Sequence, residues 1–128
     1  MNKKNMAKKI LIIEDEEVLI NVLKKKLIRE DYDVLVAKNG NEGLVKIKKD
    51  KPDLVLLDII MPEKGGFEVM EEMAKDDELK DIPIIIISNS GQPVEIENAK
   101  RLGADDWLIK TEFDPQEVLD KVIKQIGR

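Results

Sequence analysis

The sequence predicts a three-layer α/β domain: a doubly wound parallel sheet of five strands, each followed by a helix, (βα)₅. Two observations carry that expectation. Five short apolar runs, partly β-branched and mostly unbroken, alternate with amphipathic segments, as strands buried on both faces should. The connections between them are short, which suits one compact unit. A third observation concerns chemistry. Polar side chains stand at the ends of the runs, where open α/β sheets keep their ligand crevice.

The runs cover residues 9–14, 33–37, 53–58, 82–88 and 106–109. Between the first two, Leu19, Val22, Leu23 and Leu27 recur at helical spacing, so a helix is expected over roughly residues 16–29 with that stripe on the sheet. The same periodicity puts Ile20 on the outer face. Asn39 is expected to cap a second helix, with Leu44 and Ile47 inward. The third helix enters through Gly65-Gly66 and is marked by Phe67, Met70, Met73 and Ala74. A fourth begins near Pro93 and stops at Gly103, a C′ glycine. The last opens with Asp114-Pro115-Gln116-Glu117: a cap, proline at the first helical position and a glutamate closing the box. Its inward stripe is Val118, Val122 and Ile126. A single domain over residues 1–128, with its core at about 8–126, is expected.

Composition excludes several chemistries. A net charge of −5 offers no electrostatic footprint for direct nucleic-acid binding or for an anionic membrane surface. With no Cys there is no disulfide framework and no thiol chemistry. With no His there is no histidine base, phosphohistidine or imidazole-bound zinc within the chain. A metal here must be oxygen-liganded, which favours Mg²⁺, Mn²⁺ or Ca²⁺. No apolar stretch approaches the roughly 20 residues of a membrane span. Residues 1–9 lack a signal-peptide core, so a cytoplasmic location is expected.

Four run ends then deserve separate weighing. Glu14-Asp15-Glu16-Glu17 follows Ile10-Leu11-Ile12-Ile13, and acidic residues are favoured at helix N-termini by the dipole alone. Asp58 closes Leu54-Val55-Leu56-Leu57; a strand-end Asp can simply start a turn. Ser88 could be a strand-end hydroxyl and Lys110 a solvated lysine. Taken together they point elsewhere. Carboxylates converging on one crevice raise each other's pKa unless a cation neutralises them. Mg²⁺ suits such a site because it takes one or two carboxylates, keeps waters and shares its remaining positions with phosphate oxygens. Lys110 can bind a phosphoryl oxygen as a point charge, and Ser88 can donate to one.

With those residues in place, the chain resembles a response-regulator receiver domain of two-component signalling over essentially its whole length. The type it is similar to is the stand-alone chemotaxis receiver. The matching positions are Glu14-Asp15, Asp58 with Met61-Pro62 and Gly66, Ser88, Gly103-Ala104-Asp105-Asp106 and Lys110. The resemblance implies the flavodoxin-like sheet order 2-1-3-4-5. It implies a phosphorylation-activated switch, not an enzyme, in a phosphorelay. Asp58 would take a phosphoryl group from a sensor histidine kinase or histidine phosphotransfer protein. Glu14, Asp15, Asp58 and the backbone carbonyl of Ile60 would serve Mg²⁺ (or Mn²⁺), Glu14 mainly through a water. Lys110 would pair with Asp58 at rest and with the phosphoryl group afterwards. Ser88 would swing toward that group while Trp107, in the family's aromatic switch position, turns inward. The downstream protein is unknown; with no output domain expected, signalling would pass through protein contact, phosphate relay or competition for a kinase. In the family the fourth helix, fifth strand and fifth helix commonly signal and the first helix docks the kinase, which makes Ile20 a docking candidate.

Three departures stand out. Thr111 replaces the usual proline after the lysine, so either a trans bond with a shifted loop or a strained exception is expected. Asn89 stands where a small residue is usual and could narrow access to the site. Gly65 replaces a polar residue and loosens the loop after Asp58. The principal alternative is a receiver-like interaction module working without phosphorylation. An aspartate-nucleophile phosphatase would call for Asp-x-Asp after the first strand, where this chain has Glu14-Asp15-Glu16. A flavin site fits poorly, since an acidic loop repels a phosphate with no metal beside it.

Overall fold

The computed structural model describes residues 7–61, 63–89, 91–112 and 114–128. Five strands and five helices alternate: β1 (Lys9–Ile13), α1 (Glu17–Arg29), β2 (Asp33–Ala37), α2 (Gly40–Asp50), β3 (Leu54–Asp58), α3 (Gly66–Ala74), β4 (Ile84–Ser88), α4 (Pro93–Arg101), β5 (Asp106–Ile109) and α5 (Pro115–Ile126). The sheet is parallel throughout, in the order β2-β1-β3-β4-β5.

Side chains alternate across each strand and build two apolar layers. Leu11 and Ile13, Val55 and Leu57, and Ile84 and Ile86 face one side, where Leu44 and Ile47 of α2, Val69, Met70 and Met73 of α3 and Ala99 of α4 cover them. Ile10 and Ile12, Leu54 and Leu56, and Ile85 and Ile87 face the other, beneath Leu23 and Leu27 of α1 and Val118, Leu119 and Val122 of α5. β3 and β4 are buried at every position, as the unbroken apolar runs predict.

Caps fall where the sequence places them. Asn39 accepts from the Glu42 N–H at 2.8 Å, and Asp114 from the Glu117 N–H at 2.9 Å with Pro115 at the first helical position. Gly103, at φ 105°, supplies the left-handed turn after α4.

Two helix positions, both in α1, differ from expectation. In α1 the buried stripe is Ile20, Leu23 and Leu27, whereas Val22 is 40% exposed. At about 100° per residue, Leu23 and Leu27 set a stripe centre close to Ile20 and far from Val22. Ile20 is therefore a core residue and cannot dock a partner; Val18, 78% exposed, occupies the outer face instead. In α3 the buried residues are Gly66, Val69, Met70 and Met73, while Ala74, at the end of the helix, is exposed.

Candidate functional site

Strand register assembles the site. Ile13 pairs with Leu57 across β1 and β3, so Glu14 and Asp58, the residues after Ile13 and Leu57, emerge side by side. Asp58 pairs with Ile87, and Ser88 with Ile109, which carries the hydroxyl and Lys110 to the same edge. The Lys110 N–H donates to the Ser88 carbonyl at 2.8 Å and extends that pairing by one step. The loop after Asp58 returns across the strand end. A Cβ on Gly66 would stand 2.5 Å from the Asp58 carbonyl oxygen, so only glycine fits there.

Glu14, Asp58 and Ser88 are the buried polar residues among those described, at 2%, 3% and 1% exposure. Lys110 lies between the acids. Its Nζ is 3.0 Å from Asp58 Oδ2, 2.9 Å from Glu14 Oε1 and 3.2 Å from Glu16 Oε2. The other Glu14 oxygen accepts from the Asp15 and Glu16 N–H groups, both at 2.9 Å. Asp58 Oδ1 accepts from the Ile60 N–H at 3.3 Å.

Burial raises the pKa of Asp58, and the hydrogen bond and charge of Lys110 oppose it only in part. Glu14 is raised as well, by burial first, with its backbone hydrogen bond and Lys110 working the other way. Burial pulls Lys110 down, but its contacts with Glu14 and Asp58 outweigh that and raise it, so the ammonium stays charged. One cation thus answers for two buried carboxylates, and the site remains electronegative.

That surplus suits a divalent ion. Glu14, Asp15 and Asp58 each bring a carboxylate oxygen to within 4.8 Å of the others. Glu14 Oε1 is fully buried and has no hydrogen-bond partner, its contact with Lys110 being an ion pair only. An orphaned buried carboxylate oxygen is costly unless a cation satisfies it. All the available donors are hard oxygens, so the residues fit Mg²⁺ or a similar ion.

The structure brings together Glu14, Asp15, Asp58, Ser88 and Lys110. Ile60 lies two residues beyond Asp58 with its side chain 72% exposed. Trp107 sits on β5, partly buried against the layer that contains Ile86. No peptide bond among the described residues is cis, so Lys110–Thr111 is trans, and Lys110 still reaches Asp58. Asn89 is exposed and lines an open groove with Glu16, Lys110 and Thr111. Gly65 keeps a negative φ of −79° and caps α3, its N–H donating to Glu68 Oε1 at 3.4 Å. Pro62, part of the matching motif, lies outside the described residues. Sequence reasoning gave Glu16 no role of its own. Its contact with Lys110 joins residues 94 apart in the chain, and nothing in the local pattern of an acidic run signals it.

Comparison with known proteins agrees with this geometry. Residues 10–123 match the response regulator receiver domain family. The chain is 36% identical over 117 residues to the alkaline phosphatase synthesis transcriptional regulatory protein PhoP of Bacillus subtilis (strain 168), covering 91% of this chain and 48% of that protein. It spans about half the length of the curated relatives it matches. Among solved structures, the chemotaxis protein CheY4 of Vibrio cholerae superposes with a TM-score of 0.87 at 27% identity, covering 93% of this chain and 98% of that one. The phosphorylated cyanobacterial phytochrome response regulator RcpA gives a TM-score of 0.79 at 26% identity, covering 91% and 89%. Fold, strand-end chemistry and family match coincide, and the chain belongs to the response regulator receiver domain family.

Proposed function

We propose that this chain is a phosphorylation-activated switch of a two-component phosphorelay, with Asp58 as the phosphoryl acceptor and Mg²⁺ as the assisting ion. One observation carries the proposal. Asp58 is a buried carboxylate held by a lysine and flanked by two further acids, in a chain whose family receives signals from histidine kinases. RcpA, a relative of the same fold, is described as phosphorylated.

In the step proposed, an Asp58 carboxylate oxygen attacks the phosphorus of a phosphohistidine on the partner. The new O–P bond forms as the P–N bond breaks. Its electron pair returns to the imidazole, which leaves neutral because its other nitrogen holds the proton. Phosphoryl transfer needs in-line positioning and charge neutralisation more than acid–base chemistry, so a chain without His can perform its half. Glu14, Asp15, Asp58 and the Ile60 carbonyl would hold Mg²⁺, Glu14 through a water. The ion would neutralise charge on the transferring group. Lys110, fixed within reach of Asp58, would pass to a phosphoryl oxygen, and Ser88 would donate to another. The phosphoryl group adds about two negative charges at one point. Ser88 and Lys110 would read them out, with Trp107 turning into the space Ser88 vacates. The protein is the acceptor rather than a turnover catalyst. Its partners would be a sensor histidine kinase or phosphotransfer protein and a downstream protein.

Intact mass after incubation with acetyl phosphate and Mg²⁺ tests this reading. The expected result is one phosphoryl adduct that needs Mg²⁺ and is absent from Asp58→Ala. An adduct that persists in Asp58→Ala would overturn the assignment. Absence of any adduct, with either acetyl phosphate or a histidine kinase as donor, would favour a module that works without phosphorylation.

A further inference from the structure

The segment between β3 and α3 is held from two sides, and one hold comes from a helix that brings no side chain to the site. The Gly66 N–H donates to the Ile59 carbonyl at 2.8 Å and closes the segment on itself. The second hold is Gly40, the first residue of α2, whose N–H donates to the Lys64 carbonyl at 3.1 Å. The two backbones meet with no room between them. A Cβ on Gly40 would stand 2.2 Å from the Lys64 carbonyl oxygen and 2.8 Å from its carbon, atoms that cannot turn aside as a side chain can. The Lys64 side chain is tied as well, by its ion pair with Glu72. Within this frame Glu63 takes a left-handed φ of 68°. That region is costly for a residue with a Cβ, and it persists only where the surroundings over-determine it. The segment is therefore clamped in its shape from outside.

We propose that Gly40 is a positioning residue for the divalent ion: by letting α2 meet the Lys64 backbone, it fixes the segment that presents the Ile60 carbonyl. The inference rests on the function proposed above and deepens it at the ion, leaving the transfer step unchanged. Glu14 and Asp58 are placed by the pairing of β1 with β3. Ile60 lies two residues beyond the end of β3, in the segment that Gly40 braces. Mg²⁺ demands near-ideal octahedral geometry, so a small displacement of one ligand weakens it, whereas Ca²⁺ accepts a flexible arrangement.

Two alanine substitutions separate the brace from general loosening of α2. Gly40→Ala must push the Lys64 backbone away. Gly43→Ala, on the same helix, meets only the end of the Ile13 side chain, 2.5 Å from the new Cβ, and that end can turn. Titration of each protein with Mg²⁺, and separately with Ca²⁺, followed by ¹⁵N NMR, reads the affinities. Gly40→Ala is expected to weaken Mg²⁺ binding about ten-fold, the low end of what a lost supporting contact costs a metal site. Its Ca²⁺ binding should weaken less, and Gly43→Ala should keep the parent's affinity for both ions. Parent-like Mg²⁺ affinity in Gly40→Ala overturns the proposal. So does an equal loss in both variants, or an equal loss of Mg²⁺ and Ca²⁺, since either marks loosening of the fold and not a displaced ligand.

The reciprocal effect needs no variant. If the brace favours the ion, the ion must favour the brace by the same factor. Saturating Mg²⁺ should slow hydrogen exchange of the Gly40 N–H in the parent about ten-fold. The Gly43 N–H, which donates within α2 to the Asn39 carbonyl, should slow less. Unchanged exchange at Gly40 in a parent that binds Mg²⁺ overturns the inference even where Gly40→Ala does not fold. Equal slowing at Gly40 and Gly43 overturns it too, as stabilisation of the whole domain. A parent with no Mg²⁺ response in either measurement fails differently: it removes the ion from the proposed function, and this role of Gly40 with it.

Discussion

Two lysine–aspartate pairs in this molecule have the same chemistry and nearly the same geometry, yet they do different work. Lys121 Nζ lies 3.0 Å from both oxygens of Asp106, on the flank where α5 meets β5, with side chains 26% and 20% exposed. Lys110 Nζ lies 3.0 Å from Asp58 Oδ2 at the sheet edge, with side chains 9% and 3% exposed. The flank pair is balanced one to one and partly screened by water. The edge pair is not balanced, since Lys110 also answers for Glu14 and touches Glu16. Distance alone would rank the two as equals. Burial and charge count separate them: one is a modest tie between elements, the other a site that still attracts positive charge. A buried ion pair is poor evidence for stability, and an unbalanced one points to ligand chemistry.

Removing Lys110 should widen the contrast most. Lys110→Ala leaves two buried carboxylates uncompensated, and a loss of about 3–5 kcal/mol at neutral pH is expected. The pH dependence follows from the raised pKa of Glu14 and Asp58. A carboxyl group whose folded pKa lies above its unfolded value makes the native state the stronger proton binder. Its penalty is absent below the unfolded value, about 4, and grows as pH rises through the folded value. Without Lys110 both groups are pushed up further. The deficit of Lys110→Ala should therefore be largest at pH 7 and narrow toward pH 4–5, as measured by urea unfolding across that range. A deficit that does not change with pH would show that the carboxylates are not its source.

Metal addition should do by ligation what Lys110 does by pairing. If Mg²⁺ binds the folded protein alone, a concentration of 100 Kd adds about 2.7 kcal/mol of stability. A rise in melting temperature with Mg²⁺ is expected in the parent and should be largely lost in Asp15→Asn. Asp15 is exposed, so the substitution should leave the apo protein folded. An equal rise in both would place the ion elsewhere. The smallest effect belongs to the flank. Lys121→Ala should cost less than about 1 kcal/mol and leave the Mg²⁺ response unchanged, since its pair is partly exposed. A large loss would mean that burial is not what distinguishes the two pairs.

Much of this was legible in the chain. The runs ending in Asp58 and Ser88 could be read as doubly buried strands because every position in them lies in the sheet interior. Asn39, Asp114 and Gly103 marked helix ends because capping is a local event, decided within three or four residues. The α1 stripe misled because Leu19, Val22, Leu23 and Leu27 share a spacing that admits two stripe centres. Only packing against Leu54, Leu56 and α5 chooses between them, and it buries Ile20 and exposes Val22.

The sequence by itself determined the strand–helix alternation, the helix caps, the absence of thiol and imidazole chemistry, and which strand ends carry acid, hydroxyl and amine. These follow from composition and from periods of two and about 3.6 residues, both local properties of the chain. Tertiary structure alone decided that Lys110 meets three carboxylates at once, that Glu14 keeps an unsatisfied buried oxygen, and that Glu16 turns to the lysine instead of capping its helix. Those contacts join residues dozens of positions apart, and their energies depend on how much water the surrounding layers exclude, which no local pattern of residues encodes.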